Sequence, residues 1–269
     1  MITPPSFKQP VLFIGHGSPM NALARNQYSK TLNLLGENLL KNPPKAILMI
    51  SAHWETQGVF FTNKNPPQQI YDMYGFPDEL YEVQYHPNGY PDLFNNLSLP
   101  ELSPSQVLGQ YEWGIDHGSW SILVHLFPDA KIPVVQLSLD RRKNFKEHYE
   151  FAKLLQPLRE ENILIIGSGN IVHNLRKISW KENAPIMEWS LDFDQWVNKN
   201  VTSRQDHEIV ENWISHPSGK IAVPTPEHYL PLIYSLGASA QIKEKSSTPQ
   251  IIYDEIQNGS ISMRSYLFE

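Results

Sequence analysis

Cysteine is absent from the 269 residues. That excludes disulfides, thiolate nucleophiles, cysteine-held iron–sulfur clusters and every zinc site that uses a thiolate. Any metal must therefore be held by His, Asp or Glu. Long apolar runs are also missing: the longest are about five residues, against the ~20 that a membrane-spanning helix needs. No membrane partner is expected. Positive charge is scarce, with 22 Lys and Arg against 28 Asp and Glu, a net charge of −6 and no basic cluster. A nucleic-acid partner is therefore not expected. The opening MITPPSFKQP contains no apolar h-region, so no secretory signal is read and a cytoplasmic location is expected. Several stock motifs are missing as well. Met20 and Val172 stand where Gly15-x-Gly17 and Gly167-x-Gly169 would need a third glycine for a dinucleotide fingerprint. There is no P-loop, no G-x-S-x-G elbow and no H-E-x-x-H.

Proline, by contrast, is abundant at 22 residues. Pro66, Pro67, Pro77, Pro87, Pro91 and Pro100 punctuate the stretch from Asn63 to Pro100, which reads as loop. Around it, four apolar runs stand out: Val11–Ile14, Ala46–Ile50, Ile132–Leu137 and Ile163–Ile166. Three are continuous rather than alternating, as strands covered on both faces of a parallel sheet are. The third is interrupted by Pro133 and Gln136, and Val59–Thr62 suggests a short edge strand. Helical patterning falls between them at Ala22–Leu40, Asn144–Glu160 and Met187–Val201. Strands alternating with helices predict an α/β fold, a mostly parallel central sheet flanked by helices. Without a repeat or linker, 1–269 reads as a single domain.

The histidines follow these runs. His16 comes directly after Val11–Ile14 in Gly15-His16-Gly17-Ser18-Pro19, and His53 after Ala46–Ile50 in Ser51-Ala52-His53-Trp54. His173 follows Ile163–Ile166 in Gly167-Ser168-Gly169-Asn170-x-x-His173-Asn174. Ligands of open α/β sheets bind outside the carboxyl ends of the strands. Three imidazoles delivered to that edge predict a metal or acid–base cluster. His228 is a fourth candidate. Thr225 reads as an N-cap and Pro226 as the first helical residue, so His228 would lie in a first turn where the dipole favours neutral imidazole. His117 is the fifth, in a Gly-punctuated loop before the helical-looking Ser121–Phe127. His86, His125, His148, His207 and His216 have contexts that assign them to surface or core.

These segments together, with Trp113-Gly114-x-Asp116-His117-Gly118-Ser119-Trp120 and Pro224-Thr225-Pro226-Glu227-His228-Tyr229, resemble the 4,5-DOPA dioxygenase extradiol family. That family belongs to the class III, LigB-type, extradiol ring-opening dioxygenases. The resemblance implies one mononuclear divalent metal ion and a small-molecule catechol, DOPA-like, cleaved with O2. It implies His16, His53 and His228 as metal ligands, with His228 where relatives that cleave protocatechuate carry a glutamate. His173 matches an acid–base histidine that is also counted as a fourth ligand in this branch, and His117 matches a histidine beside the oxygen and substrate pocket. An all-imidazole set suits zinc, so zinc is expected in the isolated protein and iron(II) for ring cleavage. Glu227 is not expected to ligate, because adjacent helical positions point about 100° apart.

Two other functions fit part of this pattern. A zinc hydrolase needs only His16, His53, His228 and a base, with metal-bound water as nucleophile. A non-catalytic binding protein on the same fold, as in the Memo family, needs none of the chemistry; His117 and His173 beside three ligands favour an enzyme. The oligomeric state is left open.

Overall fold

The structure is a computed structural model describing residues 8–93, 110–111, 113–181, 184–240 and 247–269. Residues 94–100 of the proline-rich stretch lie outside the described residues. The strands are β1 (Val11–Gly15), β2 (Ala46–Thr56), β3 (Phe61–Thr62), β4 (Gln110–Tyr111), β5 (Val134–Asp140), β6 (Ile163–Gly169), β7 (Gln250–Tyr253), β8 (Ile256–Gln257), β9 (Ile261–Ser262) and β10 (Ser265–Phe268). The α-helices are α1 (Gln27–Leu39), α2 (Asp78–Tyr81), α3 (His117–Leu126), α4 (Phe145–Lys153), α5 (Gln156–Glu160), α6 (Glu188–Thr202), α7 (Gly219–Ala222) and α8 (Leu230–Ala238).

Eight strands form one sheet in the order β4-β3-β5-β2-β6-β1-β10-β7. Its centre, β5-β2-β6-β1, is parallel throughout, as the continuous apolar runs predict. Alternation assigns the two faces. Val11, Phe13, Leu48 and Ile50 enter one core with residues of α4, α6 and α8, while Leu12, Ile14, Ile47 and Met49 enter another with residues of α1 and α3. Each such side chain, fully covered, contributes about 1.5–3 kcal/mol of transfer free energy.

Several boundaries differ from expectation. Ala22–Leu40 divides into a short 3-10 turn, Pro19–Leu23, and α1, because Asn26 caps α1 through a reciprocal pair with Ser29. Asn144–Glu160 divides into α4 and α5 with Pro157 in the new first turn. The expected edge strand is reduced to β3, which is second from the edge and antiparallel to β5. The far side of the sheet is antiparallel: β10 pairs with β1, and β7 with β10.

Candidate metal centre and active site

The carboxyl ends of β1, β2 and β6 meet at one place. His16 leaves β1, and its backbone N–H donates to the Gly169 carbonyl at the end of β6 (3.1 Å). Gly17 then turns the chain at φ +60, where a Cβ would come within 2.4 Å of Met263 Sδ, so glycine is required. His53 was expected beyond its strand. It lies inside β2, which runs on to Thr56, where the register against β5 slips between Ile50 and Glu55. An irregularity of that kind re-aims side chains beside a site.

His228 is not in a helical first turn. It sits in the turn before α8, and the Thr225 hydroxyl donates to Glu227 (2.7 Å) instead of capping a helix. The Pro226 carbonyl accepts from the Tyr229 and Leu230 N–H groups (both 3.0 Å), so α8 begins only after the turn that carries His228. Its anchor is the sheet: the Asn170 N–H donates to the His228 carbonyl (2.8 Å), and a Cβ on Gly169 would stand 2.2 Å from that oxygen. His117 is not in a loop but opens α3, because Asp116 caps the helix by accepting from the Ser119 N–H (3.2 Å). His173 follows β6 and is held by a bridge to Ile261 and by its N–H on the Ala222 carbonyl (3.0 Å).

His16, His53 and His228 converge, each with a ring nitrogen within 4.8 Å of the others. His16 Nε2 and His53 Nε2 face each other at 3.2 Å. Outer partners set the tautomers. The Ser168 hydroxyl donates to the Gly118 carbonyl, so toward His16 Nδ1 (3.0 Å) it acts as acceptor and Nδ1 carries the proton. His228 Nδ1 donates to Glu227 Oε1 (3.1 Å), and His53 Nδ1 points at Asp72 Oδ2 (3.5 Å). Each Nε2 is thereby left as a lone pair, the arrangement that outer carboxylates and hydroxyls impose on metal-bound histidines.

Two nitrogens bound to one ion at ~2.0–2.1 Å with a tetrahedral angle stand about 3.3 Å apart. The 3.2 Å contact between His16 and His53 fits an ion between them. Protonation state agrees. Burial, then the neighbouring imidazoles, hold His16 and His228 well below the usual histidine range. Burial, then His117, pushes His53 down to about 3. Neutral imidazole is the ligating form.

His173 stands apart from this trio. Its ring is stacked on that of His228, with centroids 3.4 Å apart and planes 9° from parallel. Stacked rings keep their in-plane lone pairs in two separate, nearly parallel planes, so the two cannot both be aimed at a single ion. Burial also lowers His173, to about 4. His117 packs on His53 with ring centroids 3.9 Å apart, and its Nδ1 lies 2.9 Å from Asp72 Oδ2. Four of the other five make contacts elsewhere: His125 with the Asn21 carbonyl (2.7 Å), His148 with Tyr234 (3.1 Å), His207 with Glu211 (3.1 Å) and His216 near Asp192 (3.7 Å).

Two acidic residues of the site escaped sequence reasoning. Asp72 lies in the stretch read only as loop, and no local motif marks it. Burial would raise its carboxyl, but the bond and charge of His117 outweigh burial and hold it below its ordinary range. Asp116 directly precedes His117, and the sequence Asp-x-x-Ser before an apolar run was a readable cap signal. It accepts from Ser51 Oγ (2.7 Å) and from Gln136, and burial followed by repulsion from Asp72 pushes it up to about 6.

Comparison with known proteins defines the class. Residues 10–261 match the family described as the catalytic LigB subunit of aromatic ring-opening dioxygenase. The chain belongs to this family and is a metal-dependent extradiol ring-opening dioxygenase. Among its relatives, the 4,5-DOPA dioxygenase extradiol of Escherichia coli K12 is 41% identical over 97% of this chain and 94% of its own length. The protein of the same name from Beta vulgaris is 34% identical over 95% of each. A crystal structure of an uncharacterised Escherichia coli K12 protein superposes with a TM-score of 0.81 at 38% identity, covering 97% of this chain and 100% of the other.

Proposed function

We propose that this protein opens the ring of a DOPA-like catechol next to its hydroxyl pair, using O2, with His16, His53 and His228 holding one divalent ion. The observation that carries this reading is the convergence of those three imidazoles beside two further histidines, His117 and His173, which a bare zinc-hydrolase site would not need. When bound, iron(II) supplies the electronic path between a spin-paired catechol and triplet dioxygen, whereas zinc binds the same imidazoles without redox chemistry. Zinc in the isolated protein and iron(II) in the active one follow from that difference.

The protein's own residues handle position and protons. His173, kept neutral by burial, takes a proton from the incoming catechol hydroxyl and returns one as the ring opens. His117, its Nδ1 turned to Asp72, presents Nε2 as hydrogen-bonding partner for the oxygen or substrate hydroxyl. The stacked geometry supports reading His173 as the acid–base group and at most a weak fourth ligand of the resting site. We read residues 1–269 as one catalytic domain acting on a small molecule in the cytoplasm. Among the described residues no helix is long and apolar enough to cross a membrane.

The test is anaerobic iron(II) loading followed by an oxygen-uptake screen over substituted catechols. Oxygen consumption in step with ring opening is expected. No uptake with any catechol, together with amide hydrolysis by the zinc-loaded protein, would replace this reading by the hydrolase.

A further inference from the structure

Residues 68–72 run alongside the segment that leads into α3. Gln69 bridges to Ile115, the Ile115 N–H donates to the Gln68 carbonyl (2.8 Å), and the Ile70 N–H donates to the Ile115 carbonyl (2.8 Å). The Trp120 indole N–H donates to the Ile70 carbonyl from within α3 (2.9 Å). This pairing delivers Asp72 to the first turn of α3, where the His117 backbone N–H donates to Oδ1 (2.8 Å). Its other oxygen, Oδ2, lies 2.9 Å from His117 Nδ1 and 3.5 Å from His53 Nδ1. The side chain is mostly covered, at 16% exposure. Ser168 faces the His16 ring, and Glu227 lies near the His173 and His228 rings; Asp72 faces the proposed ligand His53 together with His117.

We propose that Asp72 is a positioning residue that orients a metal ligand and a substrate-facing histidine with one carboxylate oxygen. With Oδ2 2.9 Å from His117 Nδ1, its charge favours the proton on that nitrogen and leaves His117 Nε2 as the open position toward substrate. At longer range it does the same for His53 Nδ1 and leaves His53 Nε2 toward the ion. The backbone bond to Oδ1 holds the carboxylate beside both rings, so a turn of either ring carries its Nδ1 away from the shared charge. Two measurable properties thus depend on a single side chain: affinity for the ion through His53, and turnover through His117.

Asp72→Asn separates these from bulk. The amide keeps the shape, but whichever way it lies, its NH2 meets an N–H: that of the His117 backbone or that of its ring. The first readout is zinc affinity of the metal-free protein, measured by competition with a chromophoric chelator. It is expected to fall about 10–100-fold, the usual cost of removing a partner of a ligand. The second rests on the ring-opening reading: kcat of iron-saturated protein is expected to fall about 10²-fold. In a His117→Ala background the same change is expected to weaken zinc again but to leave kcat where His117→Ala alone puts it. Asp72→Ser, which adds no bulk, repeats both measurements if the Asn protein does not fold. Unchanged zinc affinity in a folded variant would overturn the proposal, and so would losses in kcat that multiply in the double variant. If the unsubstituted protein consumes no oxygen with catechols, the ring-opening reading fails while the zinc measurement still decides the role of Asp72.

Discussion

His148 and His53 show how little a buried, neutral imidazole says by its protonation alone. His148 lies in α4, 1% exposed, and burial followed by Lys143 pushes it down to about 4. His53 is pushed to about 3 by the same leading cause. Yet His148 Nδ1 meets a single hydroxyl, that of Tyr234 at 3.1 Å, within the helical layer formed by α4 and α8. His53 turns its Nε2 onto another imidazole nitrogen at 3.2 Å. A lowered pKa reports burial; ring nitrogens that face each other are an arrangement that suits a shared cation. The proposed metal centre rests on the second kind of observation.

The most severe test of this contrast is removal of one converging ring. His53→Ala is expected to lose more bound metal than the ~10–100-fold that follows loss of a supporting group, read by elemental analysis after desalting, and to abolish ring opening. Full metal occupancy in that protein would erase the distinction. Next in size, His117→Ala is expected to keep its metal while turnover falls about 10²-fold or more; loss of metal along with activity would place His117 among the ligands. His148→Phe lies on the other side of the comparison. Metal content and turnover are expected to hold, while denaturant unfolding shows a loss of about 1–3 kcal/mol, because the buried Tyr234 hydroxyl loses its partner.

The smallest effect is in pH. The folded-state pKa of His148, about 4, lies below the ~6.5 of an unfolded histidine, so the unfolded chain binds the extra proton as pH falls. Its contribution is complete above pH ~6.5 and is lost on going down toward about 4, at up to ~1.4 kcal/mol per pH unit. Denaturation of the metal-free protein across that range is expected to show this slope, reduced by that share in His148→Phe. An identical slope in the two proteins would show that the proton is taken up elsewhere.

The centre of the fold was readable because covered parallel strands are continuous in hydrophobicity, and β1, β2 and β6 are such runs. The histidines that follow them could be read for the same reason: the ends of adjacent parallel strands share an edge. Errors collect where distant pairing overrides local pattern. β2 continues through Ser51-Ala52-His53-Trp54-Glu55-Thr56 because β6 pairs with it as far as Ser51 and β5 again at Glu55 and Thr56, although that stretch has no uniform strand pattern. His228 is fixed by Asn170 and Gly169, not by the local cap that Thr225 suggested. Asp72 reaches the site through Ile115, a contact that leaves no periodic trace in either segment. β10 and β7 carry short mixed patterns that gain meaning only beside β1.

That last pairing has a consequence for how the protein is made. β1, Val11–Gly15, is wholly buried and exchanges hydrogen bonds with β6 on one side and with β10, Ser265–Phe268, on the other. During synthesis β1 leaves the ribosome ahead of the strand that covers its outer edge, Gly15 and Ser265 being 250 residues apart. For most of that interval an apolar strand edge stands open to pairing with other nascent chains. The N–H of Gly15, next to His16, finds its acceptor on Ser265 (3.0 Å). The backbone beside His16 is thus completed only once β10 has been made, and yield in the cell should depend on how long chaperones shield that edge.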